Sequence, residues 1–188
     1  MADMINRAVL LAMRAHAEQT RKDGKPYLTH PFSVAIELAK NGADDSLICA
    51  GLLHDAIEDG GVLPEVLEKQ FGKEVLRLVL FDTEDKSLSW KERKQEDLRA
   101  LAGCDRQCAM LVCADKLSNL RDISEDLERE GETAVFARFK RGKEEQEWLY
   151  RGCAEALAQL SDLPMYQELT ETVETVFCKR RENHAGNH

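Results

Sequence analysis

Apolar residues recur at helical spacing along most of this 188-residue chain, and this periodicity constrains the fold more than any other feature. Near the start, Ile5, Val9 and Ala12 are three or four positions apart, which places them on one face of an α-helix. Long stretches are rich in Ala, Leu, Glu, Lys and Arg, which favour helices. The sequence has no run with the strict apolar–polar alternation typical of strands. We therefore predict an all-α fold, a single helical bundle.

Breaker residues divide the chain into predicted helices. Gly24 and Pro26 mark a loop, Asn41-Gly42 ends one helix and Gly60-Gly61 ends the next. The predicted helices cover residues 3–19, 29–40, 44–59, 63–71, 73–80, 90–102, 105–123, 132–160 (one or two helices) and 164–179. We interpret residues 1–179 as one domain and predict that the polar tail, residues 180–188, is disordered.

Charge and cysteine content limit the possible partners and location. The formal net charge of −9 argues against nucleic acid or a membrane surface as a partner, because both are polyanionic. A small anionic substrate remains possible where basic residues cluster locally. No apolar run reaches the roughly 18 residues of a membrane span, and the first residues lack the apolar core of a signal peptide. The six cysteines include no CxxC pair, so we expect a reducing cytoplasm.

The segment Leu-Leu-His54-Asp55-Ala-Ile-Glu58-Asp59 carries the strongest chemical signal. On a helix at about 100° per residue, His54 stacks on Glu58 and Asp55 stacks on Asp59. Three carboxylates at the negative end of a helix dipole repel one another unless a cation lies among them. A divalent metal ion would remove this conflict. The alternative is a solvated acidic helix end in which His54 is merely hydrogen-bonded.

Two further positions could complete a metal site. Asp115 follows the apolar residues 111–114, where a carboxylate needs a partner. That partner could be a metal, or simply a cation such as Lys116 or Arg121. His30 stands at a predicted helix start, where a histidine is more often a cap or a surface residue. Two histidines and two aspartates with no thiolate suit Mn, Fe, Mg or Zn and the hydrolysis of phosphoesters.

The order His30, His54-Asp55, Asp115 resembles the metal motif of the HD phosphohydrolase superfamily. More specifically, the text of residues 21–31, 53–59 and 114–122 resembles the hydrolase domain of RelA/SpoT proteins. Residues 90–94 and 142–148 are weaker matches. The matches occur in the family's order and together span about residues 5–150.

This resemblance implies a small alarmone hydrolase with a single HD domain. Such an enzyme removes the 3′-pyrophosphate of (p)ppGpp to give GDP or GTP and pyrophosphate, usually with one Mn²⁺ ion, although other divalent metals are possible. Carried onto this sequence, the resemblance assigns metal binding to His30, His54, Asp55 and Asp115, handling of the attacking water to Glu58 and Asp59, and substrate contacts to Arg21, Lys22 and Asn119.

The chain departs from the family's usual sequence at two places. Gly60-Gly61 stands where the family usually has Thr, and we expect a looser loop there. Residues 81–86 also differ from the usual text. The substrate could therefore be another nucleotide with a 2′- or 3′-phosphate, such as NADPH, or the protein could be a non-catalytic nucleotide sensor. The intact Glu58-Asp59 pair favours an enzyme. His16 matches a common family position, and we interpret it as structural or as a support for the metal ligands.

Overall fold

The computed structural model describes residues 2–21, 23–83 and 87–178. Within these ranges the only β-structure is an isolated bridge between Thr20 and Pro26, which confirms the all-α prediction. Lys22 and the predicted tail lie outside the described residues. The helices are α1 (Ala2–Ala15), α2 (Thr29–Lys40), α3 (Asp45–Leu53), α4 (Pro64–Phe71), α5 (Lys73–Asp82), α6 (Trp90–Ala102), α7 (Arg106–Glu130), α8 (Glu132–Ala137), α9 (Lys143–Ala156) and α10 (Pro164–Phe177), with a short 3-10 helix at Ala158–Leu160.

Side-chain caps explain why several helices begin where the sequence predicts. Asp44 accepts a hydrogen bond from the backbone N–H of Leu47 at the start of α3. Ser89 and Glu92 form a reciprocal capping box at the start of α6. Asp105 accepts from two backbone N–H groups in the first turn of α7. Each cap satisfies donors that the helix itself leaves unpaired.

Helix α7 is the centre of the bundle. It packs against α2, α3, α5 and α10, and residues 108–115 along it are all buried. The carboxylate of Asp115 therefore lies inside the core, at the middle of the helix. Helix α7 was predicted to end at about Ile123, but it continues to Glu130 and stops at Gly131, whose positive φ of 82° suits glycine.

The third helix is shorter than predicted. It ends at Leu53, and residues 54–60 form successive turns instead of the predicted helix to residue 59. The prediction that one regular helix carries His54 and Glu58 is therefore wrong. The backbone tightens here because the N–H of Ala56 bonds the carbonyl of Leu53, three residues back, at 2.9 Å. Helix α1 likewise ends at Ala15, before the predicted Gln19.

The turn after α3 packs closely against the end of α1. A Cβ atom added to Gly60 would lie 2.7 Å from the carbonyl oxygen of Ala56 and 2.8 Å from the Cβ of Ala15. Both distances are shorter than a normal van der Waals contact. The expectation of a looser loop is therefore wrong at Gly60, whose missing side chain allows this contact.

Four of the six cysteines are buried in the core, whereas Cys104 is partly exposed and Cys178 is exposed. All six are free thiols. Cys49, Cys113 and Cys153 are at most 3% exposed, as their apolar contexts predict. Among the described residues, no helix is both long and apolar enough to cross a bilayer.

Candidate active site

Four predicted ligand side chains meet in the core, contributed by three separate segments. His30 comes from the first turn of α2, His54 and Asp55 from the turn after α3, and Asp115 from the middle of α7. His30 Nε2 lies 3.0 Å from Asp115 Oδ1, and His54 Nε2 lies 2.9 Å from Asp55 Oδ2. The two Nε2 atoms are 3.2 Å apart. One ligand atom from each of His30, His54 and Asp115 fits within 4.8 Å of the others.

The hydrogen-bond pattern of His54 indicates that a cation belongs in this cluster. Its Nδ1 is 2.9 Å from the carbonyl oxygen of Gly51, so Nδ1 carries the proton and donates it. In a neutral ring Nε2 then carries a lone pair and no proton, yet it faces the Asp55 carboxylate and the His30 ring nitrogen. Acceptors this close repel unless a proton or a metal ion lies between them. The donor set of imidazole nitrogen and carboxylate oxygen fits a divalent metal.

The electrostatics of the cluster agree with this conclusion. Burial alone would lower the pKa of His54, but the neighbouring Asp55 carboxylate raises that pKa to about 10. Burial would raise the pKa of Asp55, but His54 holds it below its usual range. Burial lowers the pKa of His30. Without metal, the pair of imidazoles therefore holds one positive charge on His54, at the position where an ion would bind.

The carboxylate of Asp115 is held by two neighbours on α7. Lys116 Nζ lies 2.6 Å from Oδ2, and Asn119 Nδ2 donates to Oδ1 over 2.8 Å. Burial raises the pKa of Asp115, but Lys116 lowers it well below its usual value, so the group stays ionised. The alternative interpretation of Asp115 as an ion-pair partner is therefore right for Lys116. It is wrong for Arg121, which pairs with Glu37 at 2.9 Å.

Tyr27 contacts the cluster although the sequence assigned it no role. Its hydroxyl donates a hydrogen bond of 2.5 Å to Asp55 Oδ2. Burial and the nearby Asp55 charge raise the pKa of Tyr27, so the hydroxyl remains a donor. The sequence could have indicated this contact, because Tyr27 stands three residues before His30 in the loop that leads to the start of α2.

A cavity of about 430 Å³ opens beside the cluster and is lined by His30, Asp55 and Asp115. Glu58 and Asp59 line the same cavity, as the predicted role of these two acids requires. Two ammonium groups, Lys94 and Lys116, also line it. A cavity that is lined both by predicted metal ligands and by lysines is better suited to binding an anionic phosphate than a neutral molecule.

Asp82 is a second residue that the sequence analysis missed. It lies beyond the helix predicted over residues 73–80, but it is the last residue of α5 and lines the 430 Å³ cavity. Burial, together with the charge of Asp115, raises the pKa of Asp82 to about 6. A carboxyl group with this pKa can change its protonation state near neutral pH.

A smaller cavity of about 260 Å³ adjoins the first and shares Tyr27 and Asn119 with it. Arg21 lines its wall, donating to Asn119 Oδ1 over 2.9 Å and pairing with Asp122 at 2.6 Å. The predicted substrate residues Arg21 and Asn119 therefore contact each other. The rest of the lining mixes polar and apolar groups, including Ile123, Phe139, Tyr150 and Arg138. A planar base would fit such a wall.

The fold and the His/Asp cluster together define a class of protein. The family model of the HD domain matches residues 8–144. The chain belongs to the HD domain family.

Two relatives and one solved structure show what this chain is similar to within the family. The chain is 41% identical over 120 residues to the Danio rerio protein "guanosine-3′,5′-bis(diphosphate) 3′-pyrophosphohydrolase MESH1", an alignment covering 62% of this chain and 67% of that protein. It is 36% identical over 125 residues to an Aquifex aeolicus guanosine-3′,5′-bis(diphosphate) 3′-pyrophosphohydrolase, covering 65% of this chain but only 18% of that longer protein. The solved structure of a metazoan SpoT ortholog that hydrolyses ppGpp superimposes on this chain with a TM-score of 0.76 and 27% sequence identity, over 90% of this chain and 93% of that one.

Proposed function

We propose that this protein is a metal-dependent hydrolase that removes the 3′-pyrophosphate from (p)ppGpp, giving GDP or GTP and pyrophosphate. One observation carries the proposal. The cluster of buried His30, His54 and Asp115 with the partly exposed Asp55 borders a cavity that is also lined by further carboxylates and by lysines. The names of the MESH1 relative and of the SpoT ortholog support the choice of substrate.

The four cluster residues are the proposed metal ligands, and Mn²⁺ is the proposed ion. When bound, such an ion supplies positive charge that polarises a phosphoryl oxygen and makes a nearby water more acidic. A bound divalent cation would also remove the need for a proton on His54. The free thiols of the chain are consistent with a cytoplasmic setting, which is part of the proposal.

The remaining roles follow from the position of each group along the larger cavity. Glu58 and Asp59 would orient the attacking water and accept its proton. Lys94 and Lys116 would attract the pyrophosphate group by charge. Because the smaller cavity adjoins the larger one, the nucleoside would lie there against Arg21. Lys22, which lies outside the described residues, remains a proposed substrate contact.

A substrate comparison tests the proposal. Purified protein is incubated with Mn²⁺ and, separately, ppGpp, pppGpp and NADPH, and released pyrophosphate and phosphate are quantified. We expect pyrophosphate from the two guanosine compounds. Turnover of NADPH alone would replace the proposed substrate with a 2′-phosphorylated nucleotide, and binding without turnover would make the protein a sensor.

Two variants test the assigned roles in the same assay. Asp55→Ala is expected to lose metal binding together with turnover. Glu58→Gln is expected to keep the metal and lose most turnover, by about a hundredfold or more, because a general base contributes roughly that factor. Full activity of Glu58→Gln would remove Glu58 from the mechanism.

A further inference from the structure

Gln19 connects three segments that surround the cluster of proposed metal ligands. Its side-chain Oε1 lies 2.8 Å from Nδ1 of His16, at the end of α1. Its Nε2 donates a hydrogen bond of 2.6 Å to the backbone carbonyl of Asp59. Its own backbone carbonyl accepts from the N–H of Tyr27 over 2.9 Å. One residue therefore joins the end of α1, the loop before α2 and the turn after α3.

These contacts also assign the proton on His16. Because Gln19 must present its NH₂ group to the Asp59 carbonyl, its oxygen faces the His16 ring. Nδ1 of His16 is then the donor of that hydrogen bond. The ring is 2% exposed, so water does not compete for this contact. His16 was interpreted from the sequence as structural or supporting, and its contacts indicate what it supports.

Tyr27 is fixed between two rings. Its centroid is 4.9 Å from that of His16 and 6.0 Å from that of His30. Because the ring is held on both sides, its hydroxyl points toward Asp55 Oδ2 and donates a hydrogen bond to it. Packing on His16 therefore fixes a donor to a carboxylate of the cluster.

The turn after Asp55 is bound to the same residues. The N–H groups of Asp59 and Gly60 both donate to the backbone carbonyl of Asp55, at 2.9 and 3.1 Å. Gln19 holds the other side of this turn through the Asp59 carbonyl. The side chain of Asp55 and the backbone that carries Glu58 and Asp59 thus depend on one set of contacts.

We propose that His16, Gln19 and Tyr27 act as a positioning clamp that holds the Asp55 carboxylate and the Glu58–Asp59 turn in a fixed relation to each other. The catalytic part of this inference rests on the proposed function, whereas the metal-binding part does not. Hydrogen-bond partners behind metal ligands commonly change metal affinity by about 10- to 100-fold. Loss of the clamp therefore weakens metal binding and misplaces the two acids, and a change at Gln19, which lines neither cavity, does so without altering the wall of the nucleoside cavity.

Calorimetric titration with Mn²⁺ tests the clamp independently of any substrate. Tyr27→Phe keeps the ring and removes the hydroxyl, and we expect about tenfold weaker Mn²⁺ binding. Gln19→Met keeps the length of the side chain and removes its hydrogen bonds, and we expect about threefold weaker binding. Because both changes act on the same carboxylate and turn, the double variant should lose less than the product of the two factors.

Two matched controls change residues that line neither cavity. Tyr166→Phe removes a hydroxyl that donates to the carbonyl of Ala154 over 3.0 Å, and Gln159→Met removes an amide that donates to the carbonyl of Cys104 over 3.2 Å. Both should bind Mn²⁺ as the unmodified protein does. Circular dichroism verifies that every variant is folded, and the electron paramagnetic resonance spectrum of bound Mn²⁺ reports a changed ligand geometry in Tyr27→Phe.

Steady-state kinetics with ppGpp add a second readout. At saturating Mn²⁺, Gln19→Met should lower kcat about tenfold and leave KM within about twofold, because the acids move and the nucleoside wall does not. Unchanged Mn²⁺ affinity in folded Tyr27→Phe overturns the clamp, and so do strictly multiplicative effects in the double variant. If the expected affinities are found but the unmodified protein releases nothing from ppGpp, the proposed substrate fails and the clamp stands. If ppGpp is hydrolysed while Tyr27→Phe binds Mn²⁺ normally, the clamp fails and the proposed function stands.

Discussion

Arg21 and Asp122 form an ion pair at 2.6 Å that builds one wall of the smaller cavity. The Arg21 side chain is only 14% exposed, and it also donates to Asn119. Two acceptors on α7 therefore fix the plane of a guanidinium contributed by a loop far away in sequence. An ordered guanidinium loses less conformational entropy when it binds a substrate than a freely rotating one does.

The first prediction concerns this wall. Asp122→Asn removes the charge that holds Arg21 and leaves a group of similar size. We expect KM for ppGpp to rise by about three- to tenfold while kcat stays within about twofold, because binding of the nucleoside is affected and the metal cluster is not. Asp162→Asn is the control, since it breaks an exposed pair with Arg106 on another part of the surface. A fall in kcat without a change in KM would mean that Asp122 acts on the chemistry instead.

The second prediction is a pH dependence of the metal-free protein. The pKa of His54 is about 10 when folded against an ordinary 6.5. A raised folded pKa gives stability that is fully present below about pH 6.5 and is lost as pH rises through 10. We therefore expect the free energy of unfolding in urea, measured with a chelator present, to fall across this window. His54→Gln should show a smaller fall. Because the pKa of His30 is lowered, its protonation changes the free energy of unfolding only below about pH 6.5, outside this pH range.

The third prediction links the metal to the same proton. Because Mn²⁺ must displace the proton from His54, its affinity should increase as pH rises from about 6.5 toward 10. Calorimetry in buffers with different ionisation enthalpies should detect about one proton released per ion. Mn²⁺ at about 100 times its Kd should stabilise the fold by about 2.7 kcal/mol, and a chelator should reverse this gain. Affinity that is independent of pH would place the ion away from His54.

Part of the fold was predictable because its determinants are local. Asp44, Ser89 and Asp105 are caps whose chemistry is complete within four residues, and the helices after them begin as predicted. The location of Asp115 in the core was also predictable, since the apolar residues before it can only be buried. The prediction that Asp115 needs a partner follows from burial cost alone.

The end of α3 depends on contacts that the local sequence does not contain. Residues 54–59 have acceptable helix propensity, and the sequence alone therefore extends the helix. In the structure the turn is held by Gln19 from α1's end and by close packing of Ala15 on Gly60. Tyr27 was missed for the same reason, because its bond to Asp55 joins residues 28 positions apart. Tertiary contacts override propensity at such positions.

The fourth prediction uses this packing. Gly60→Ala places a methyl group 2.7 Å from the Ala56 carbonyl oxygen and 2.8 Å from the Cβ of Ala15. Neither group can rotate away, so the turn itself must move. We expect a loss of about 1–3 kcal/mol in the free energy of unfolding, as is typical of overpacking. Mn²⁺ affinity should also fall, because the N–H of Gly60 bonds the carbonyl of Asp55.

Two other glycines separate crowding from backbone strain. Gly103→Ala adds a methyl group with no atom within 4 Å and a negative φ of −114°, so its stability should change by less than about 0.5 kcal/mol. Gly61→Ala also meets no atom but has a φ of +67°, so it should cost about 1 kcal/mol of strain. If Gly60→Ala behaves like Gly103→Ala in urea unfolding and in Mn²⁺ titration, close packing on α1 does not set the position of the turn. If it loses both stability and affinity while Gly61→Ala loses mainly stability, the contact between Gly60 and Ala15 controls the geometry beside Asp55.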